Sequence, residues 1–197
     1  MRIRDERAKQ VLEAWKTIVG VQMHFNDISM RIRSIFVTLL LALFAAIGFL
    51  YEKKLTISMW STSISFATVM PLFGVVATYL FYFMDRYWYH RLLVGSVRHA
   101  IEIEKKYKHS LPELSLSDAI GKESPYRPRG LVWLVAKLVV SHPAFKSDGL
   151  LHSDGKIELF YKSVMAALVV LAALLAITNG ISGSGAVKQV VGRVWML

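Results

Sequence analysis

The chain has 197 residues, 54% of them hydrophobic and only 19% charged, with a positive mean hydropathy; this is too apolar for an ordinary water-soluble domain of its length and predicts a membrane protein. A formal net charge of +10 draws whatever projects from the bilayer toward anionic lipid headgroups, the partner expected here, and no specific nucleic-acid recognition is predicted. The absence of cysteine excludes disulfides, thiolate zinc sites, iron–sulfur clusters and a cysteine nucleophile.

The first thirty residues alternate charged and apolar positions without the apolar core or small-residue cleavage site of a secretory signal, so the mature chain is expected to begin at Met1. Residues 1–33 read as a cytosolic amphipathic helix, with Ala8, Val11, Trp15 and Ile18 at three-four spacing. Continuing that stripe meets Gln22, then Phe25 with Asn26. Polar side chains on such a seam set register or oligomer choice when it packs on a neighbouring subunit. They face headgroups when the helix lies on the membrane surface. Both placements stay open.

Residues 34–84 read as a transmembrane hairpin. Its first helix, Ile35 to Tyr51, has seventeen uncharged residues and spans about 26 Å, slightly less than the hydrocarbon core. Arg31, Arg33, Lys53 and Lys54 are therefore expected to snorkel from its flanks. The second, Trp60 to Met84, is uncharged and carries Pro71 near its middle. Ser61, Ser65 and Thr68 fall on one face of it, followed by Pro71 and Gly74. Several chains could line a narrow passage with these hydroxyls and bend at the proline. The same hydroxyls could instead bond their own preceding carbonyls and face a neighbouring helix. A third span, Leu159 to Thr178 within residues 159–179, carries Lys162 one turn from its start. All three are predicted helical, because in lipid only a helix satisfies its own backbone groups. None holds a central charge, which argues against a carrier built on a titrating carboxylate. Ala42 and Ala46 in the first span, and Ala172, Ala176 and Gly180 in the third, lie four apart; small residues at this spacing let helices approach closely and predict a homo-oligomer.

Where the second span ends, FYFMDRYWYHRLL (81–93) crowds aromatic and charged side chains together. Tyr79, Phe81, Tyr82, Phe83, Tyr87, Trp88 and Tyr89 suit the headgroup level, with Asp85, Arg86 and Arg91 marking water. Such a belt needs neither Asp85 nor His90.

Residues 85–158 form the expected cytosolic insert. A stalk helix runs from Asp85 to about Lys106 on the stripe Leu92, Leu93, Ser96, Val97, Ala100 and Ile103, and Pro112 blocks its continuation. SLSDAIGKESPYRPRG reads as a surface loop with one helical turn capped by Ser117. LVWLVAKLVV (131–140) is too short to cross a bilayer. It reads as a buried helix, an interfacial helix or a strand; its β-branched content leans toward a strand, but no other cytosolic segment supplies a partner, and it is assigned as a helix. Ser147-Asp148-Gly149 and Ser153-Asp154-Gly155 read as two turns. The remaining 180–197 begin as a glycine–serine joint and end as an external amphipathic tail.

Lysine and arginine number seven in residues 1–33, thirteen in 84–162, two in 52–59 and two after 179. The basic segments are expected in the cytoplasm, with the amino terminus inside and the carboxyl terminus outside.

No phosphate-binding glycine loop, nucleophile elbow or His-Glu-x-x-His pair occurs, and no two histidines lie four apart on a helix. No cofactor, metal or catalytic residue is predicted. The one constellation at the inner surface joins His24 and Asp27 with Asp85, Arg86 and His90, which could pair between helices as an interfacial latch or gate. With VQMHFNDISMRIR before the first span and MDRYWYHRLL after the second, the arrangement resembles the small multi-pass membrane effectors of bacterial anti-phage defence. The resemblance implies a bacterial inner-membrane location, a cytosolic protein or nucleotide signal, oligomer rearrangement and loss of membrane integrity. The expected function is accordingly a homo-oligomeric regulated pore or membrane-perturbing effector. The alternatives are a non-conducting anchor that recruits a cytosolic enzyme through residues 84–158, and a lipid-acting enzyme using Asp85 or His90.

Overall fold

A computed structural model of the chain describes residues 2–59 and 62–194, and side-chain surroundings over 6–57, 64–143 and 145–178. Helix dominates because long stretches lack proline and repeat apolar residues every three or four positions. In chain order the elements are α1 (Arg2–Lys53), β1 (Thr56–Met59), β2 (Thr62–Ser65), α2 (Phe66–Phe83), a π-helical segment (Met84–Tyr89), α3 (His90–Tyr107), α4 (Leu116–Glu123), α5 (Gly130–Val139), α6 (Pro143–Asp148) and α7 (Ser153–Val194). Three helical stretches, Glu6–Lys53, Phe66–Tyr107 and Ser153–Thr178, are long and apolar enough to cross a membrane.

Several boundaries differ from the sequence expectation. The amphipathic arm and the first span are one uninterrupted helix, α1, of 52 residues, about 78 Å long. No proline lies near residue 33 to break the ladder. Helix α1 stops at Lys53, and Lys54 adopts a left-handed φ of 51°, the C-terminal geometry that frees the chain to turn. The second apolar helix begins at Phe66 rather than Trp60, because β1 and β2 pair antiparallel before it, with Thr56 opposite Ser65 and Ile57 opposite Ile64. Alternating Thr and Ile suit a pleated ribbon, and Leu55 O accepts the Phe66 N–H at 3.0 Å where the ribbon meets α2. Helix α2 itself is about 27 Å long. The tail is likewise not a separate segment: the α7 backbone stays helical through Gly180, Gly183 and Gly185 to Val194. Each such glycine costs about 1 kcal/mol in a helix.

The chain divides into two compact units. One comprises residues 36–79 and 163–197. In it α2 turns a small-residue face inward, with Ala67, Pro71, Gly74 and Thr78 all buried. A Cβ at Gly74 would collide with Leu43 and come within 3.2 Å of Leu168, so α2 packs closely on α1 and α7 through that face. Thr78 Oγ1 donates to the Gly74 carbonyl at 2.7 Å, which disposes of its hydroxyl within its own helix. Much of the remaining apolar surface is exposed, including Leu41, Phe73 and Ile177, which suits helices long and apolar enough to cross a membrane.

The other unit comprises residues 1–35 and 80–162. Its α1 seam, Ala8, Val11, Trp15, Ile18, Gln22 and Phe25, is half-buried along its length and becomes fully buried at Ser29 and Ile32. A small apolar core joins Ala136, Val140, Phe145 and Leu151 with Val139 and Leu159. Tyr126 and Leu151 clamp it with reciprocal backbone bonds of 3.1 and 2.7 Å. Residues 130–139 are helical. Of the two Ser-Asp-Gly sequences only the first is a turn, with Gly149 at φ 69° closing α6; the second opens α7.

Candidate functional site

The charged foot of α2 does not continue as a regular α-helix. Over Met84–Tyr89 the bonding shifts to π geometry, and the His90 N–H reaches the Asp85 carbonyl five residues back. In an α-helix residues five apart point about 140° apart. The wider π turn brings the two closer to one face, and Asp85 and His90 are both buried.

Asp85, wholly buried, accepts two bonds from Arg33, Nε to Oδ2 at 2.7 Å and Nη2 to Oδ1 at 3.3 Å. The buried Tyr161 hydroxyl donates to the same Oδ2 at 3.2 Å. One carboxylate thus ties α1, the π segment and α7 together within this unit, and a bidentate guanidinium is the partner best shaped for it. The tyrosine ring also leans on Tyr82, centroid to centroid 5.8 Å. A second knot centres on Asp154 in the first turn of α7. It pairs with Arg86, while His90 Nε2 lies 2.8 Å from Oδ1 and His142 Nε2 3.5 Å from Oδ2. The His90 contact has ion-pairing distance without hydrogen-bond geometry, and Arg86 Nε is buried without a hydrogen-bond partner. One turn further along α7, Glu158 pairs with Lys162 and accepts the Ser141 N–H at 2.9 Å.

A third knot lies on α3. The buried Glu104 carboxylate accepts Trp15 Nε1–H at 3.1 Å and the backbone N–H groups of Ser117 and Asp118 at 2.9 and 3.0 Å. The last two are the unpaired donors at the start of α4, so a carboxylate from another helix supplies the cap expected of Ser117. Gln22 joins in, its amide 3.3 Å from the Ser96 carbonyl and 3.4 Å from Ser117 Oγ. The polar residue on the α1 seam is therefore used inside the chain. Outside the knots, Asp118 pairs with Lys122, which holds its carboxyl below the usual 3.8.

Of the five expected latch residues, Asp85, Arg86 and His90 lie together at the π segment, but Asp85 is joined to Arg33, and Arg86 and His90 to Asp154. His24 and Asp27 are exposed, and His24 rests on Phe25. Sequence reasoning missed Arg33, Tyr161, Asp154, His142 and Glu104. Its available signal was the repeat Asp154, Glu158, Tyr161 and Lys162 at helical spacing just before an apolar run. The expected pore-lining set disperses: Ser61 lies outside the described residues, Ser65 ends β2, Thr68 is half-buried in the first turn of α2, and Pro71 is buried. The physical reason is the pairing of β1 with β2, which takes Ser65 off the helical face. Among the small residues Ala172 is buried, Ala46 half-buried, and Ala42 and Ala176 exposed; the surroundings of Gly180 are outside the described residues.

Chemically the unit offers paired charges and capped helices. Among the described residues no group of three His, Asp or Glu is arranged to hold a metal ion. Fold and site define a predominantly helical chain with three helices long and apolar enough to cross a membrane, and a unit clasped by buried polar groups. No protein-family model, curated protein or solved structure matches it.

Proposed function

We propose that the protein is a self-associating membrane effector held inactive by the Arg33–Asp85–Tyr161 clasp, and that a cytosolic protein or nucleotide signal releases the clasp so that copies rearrange and perturb the bilayer. It acts by rearrangement rather than catalysis. The observation that carries this reading is the wholly buried Asp85 on a π turn, bonded to two other helices that each lead into an apolar segment. Buried charge contributes little net stability while its pairing is all-or-none, which suits an element with two discrete arrangements. Exposed Ala42 and Ala176 supply close-approach sites for other copies.

The test is expression of Asp85→Asn or Arg33→Ala in bacteria with membrane potential and dye entry recorded. Depolarisation and dye entry without an activating signal, absent for Gly20→Ala, are expected. Unchanged potential and dye entry, with the variants inserted and assembled as the unsubstituted chain is, would overturn the effector reading.

A second reading, the non-conducting anchor, is favoured by one observation: Pro71 and Gly74 are buried within the single chain, so that face of α2 is occupied by intramolecular packing. Co-purification of a partner that is lost on deleting residues 108–150, with potential unaffected throughout, would select it.

A further inference from the structure

Helix α5 carries its most apolar face outward. Leu131 and Leu138 are 74% and 78% exposed and Leu134 is 50% exposed. These three recur at i, i+3 and i+7, one face of a helix, whereas Ala136 and Val140 on the opposite side fill the small core. A soluble surface would not keep three leucines in this register without something covering them.

The surrounding charge identifies the cover. From Ser124 to Ser147 there is no acidic residue, while Arg127, Arg129, Lys137 and Lys146 are all exposed. Lys137 Nζ sits 5.1 Å from the ring centroid of the exposed Trp133, pairing a cation with an amphipathic ring on the flank of α5 between the leucine face and the core side. At ten residues α5 is about 15 Å long, too short to cross a bilayer. A short apolar face rimmed by cations and a tryptophan fits a helix lying in the headgroup plane. A chain with three helices apolar enough to cross a membrane works where such a surface is at hand.

We infer that α5 is an in-plane membrane helix: Leu131, Leu134 and Leu138 enter the acyl boundary of an anionic leaflet, and Arg127, Arg129 and Lys137 bind its headgroups. This holds whether the protein is an effector or an anchor.

The native chain has no cysteine, so single-cysteine variants need no background substitution. Leu134→Cys and Leu138→Cys, with Glu123→Cys as the aqueous control, are labelled with the fluorophore NBD in the full-length protein. They are reconstituted into nanodiscs of phosphatidylcholine with or without phosphatidylglycerol. Lipid-borne doxyl groups are expected to quench the leucine-site labels and iodide to leave them untouched, with the reverse at residue 123. Quenching by doxyl should strengthen with phosphatidylglycerol and be lost when Arg127, Arg129 and Lys137 are all changed to serine. Iodide quenching at residues 134 and 138 would overturn the inference. So would protection from both quenchers that appears only with two copies per disc, which would make the face a contact between copies. Leu134→Met, labelled at residue 138, checks that loss of a leucine does not by itself unseat the helix.

Discussion

Glu104 is the clearest place to test a buried polar knot as a structural device. Replacing it with alanine strands three N–H donors: the buried Ser117 amide, the half-buried Asp118 amide and the half-buried Trp15 indole. A buried donor left without a partner costs about 1–3 kcal/mol. Ser117 bears that in full, whereas Asp118 and Trp15 recover part of it from water. Loss of the negative charge at the start of α4 adds about 0.5 kcal/mol. The sum for Glu104→Ala is about 3–5 kcal/mol. Glu104→Gln keeps one acceptor oxygen but turns an amide N–H toward the donors, for about 2 kcal/mol. The control is Glu102→Ala, an exposed residue facing His99, worth less than about 0.5 kcal/mol. The assay is hydrogen–deuterium exchange across residues 111–124 in nanodiscs together with a denaturation midpoint. Equal protection of α4 in the Glu104→Ala and Glu102→Ala proteins would refute the assignment of Glu104 as its cap.

Further outcomes are expected. Arg33 is a third exposed and Asp85 fully buried, so Arg33→Ala, which abandons a buried carboxylate, should cost about 3–5 kcal/mol; Asp85→Ala should cost less because the guanidinium can reach water, and the Arg33→Leu/Asp85→Leu pair should recover most of the loss. Equal penalties for the two single changes in a denaturation assay would contradict this. Gly74→Ala, whose new methyl meets Leu43 and Leu168, should lower stability by about 1–3 kcal/mol, while Gly20→Ala, with open space around it, should raise it by about 0.5–1 kcal/mol, both read from thermal midpoints. The Asp148 carboxyl is held below its usual 3.8 by the Leu150 N–H and by His152; its contribution to the turn is therefore present above that value and lost as pH falls through the lowered one. Carboxyl-carbon NMR should give a midpoint under 3.8, moving upward in His152→Ala.

The three apolar helices were legible in the sequence because hydropathy over eighteen or more residues is a property of composition alone. So was the stripe on α1, which needs only a periodicity, whereas at 131–140 the apolar run left helix and strand both open and only the want of a partner strand favoured the helix that forms. The hairpin at 56–65 was not legible, because Ser, Thr and Ile pass equally for the outer end of a span when hydropathy is averaged, and only the pairing of Ile57 with Ile64 separates the two.

The partners in the three polar knots were beyond the sequence for a different reason. Asp85 to Arg33, Asp154 to His142 and Glu104 to Trp15 are pairings between helices, fixed by which faces meet. A carboxylate's neighbours along the chain do not determine its neighbours in space, and the π turn that aligns Asp85 with His90 shifts the helical phase that any periodicity argument relies on. Composition therefore determined that the chain carries membrane-length helices and a basic, cysteine-free character, while tertiary packing alone decided which charges are buried and what each one holds.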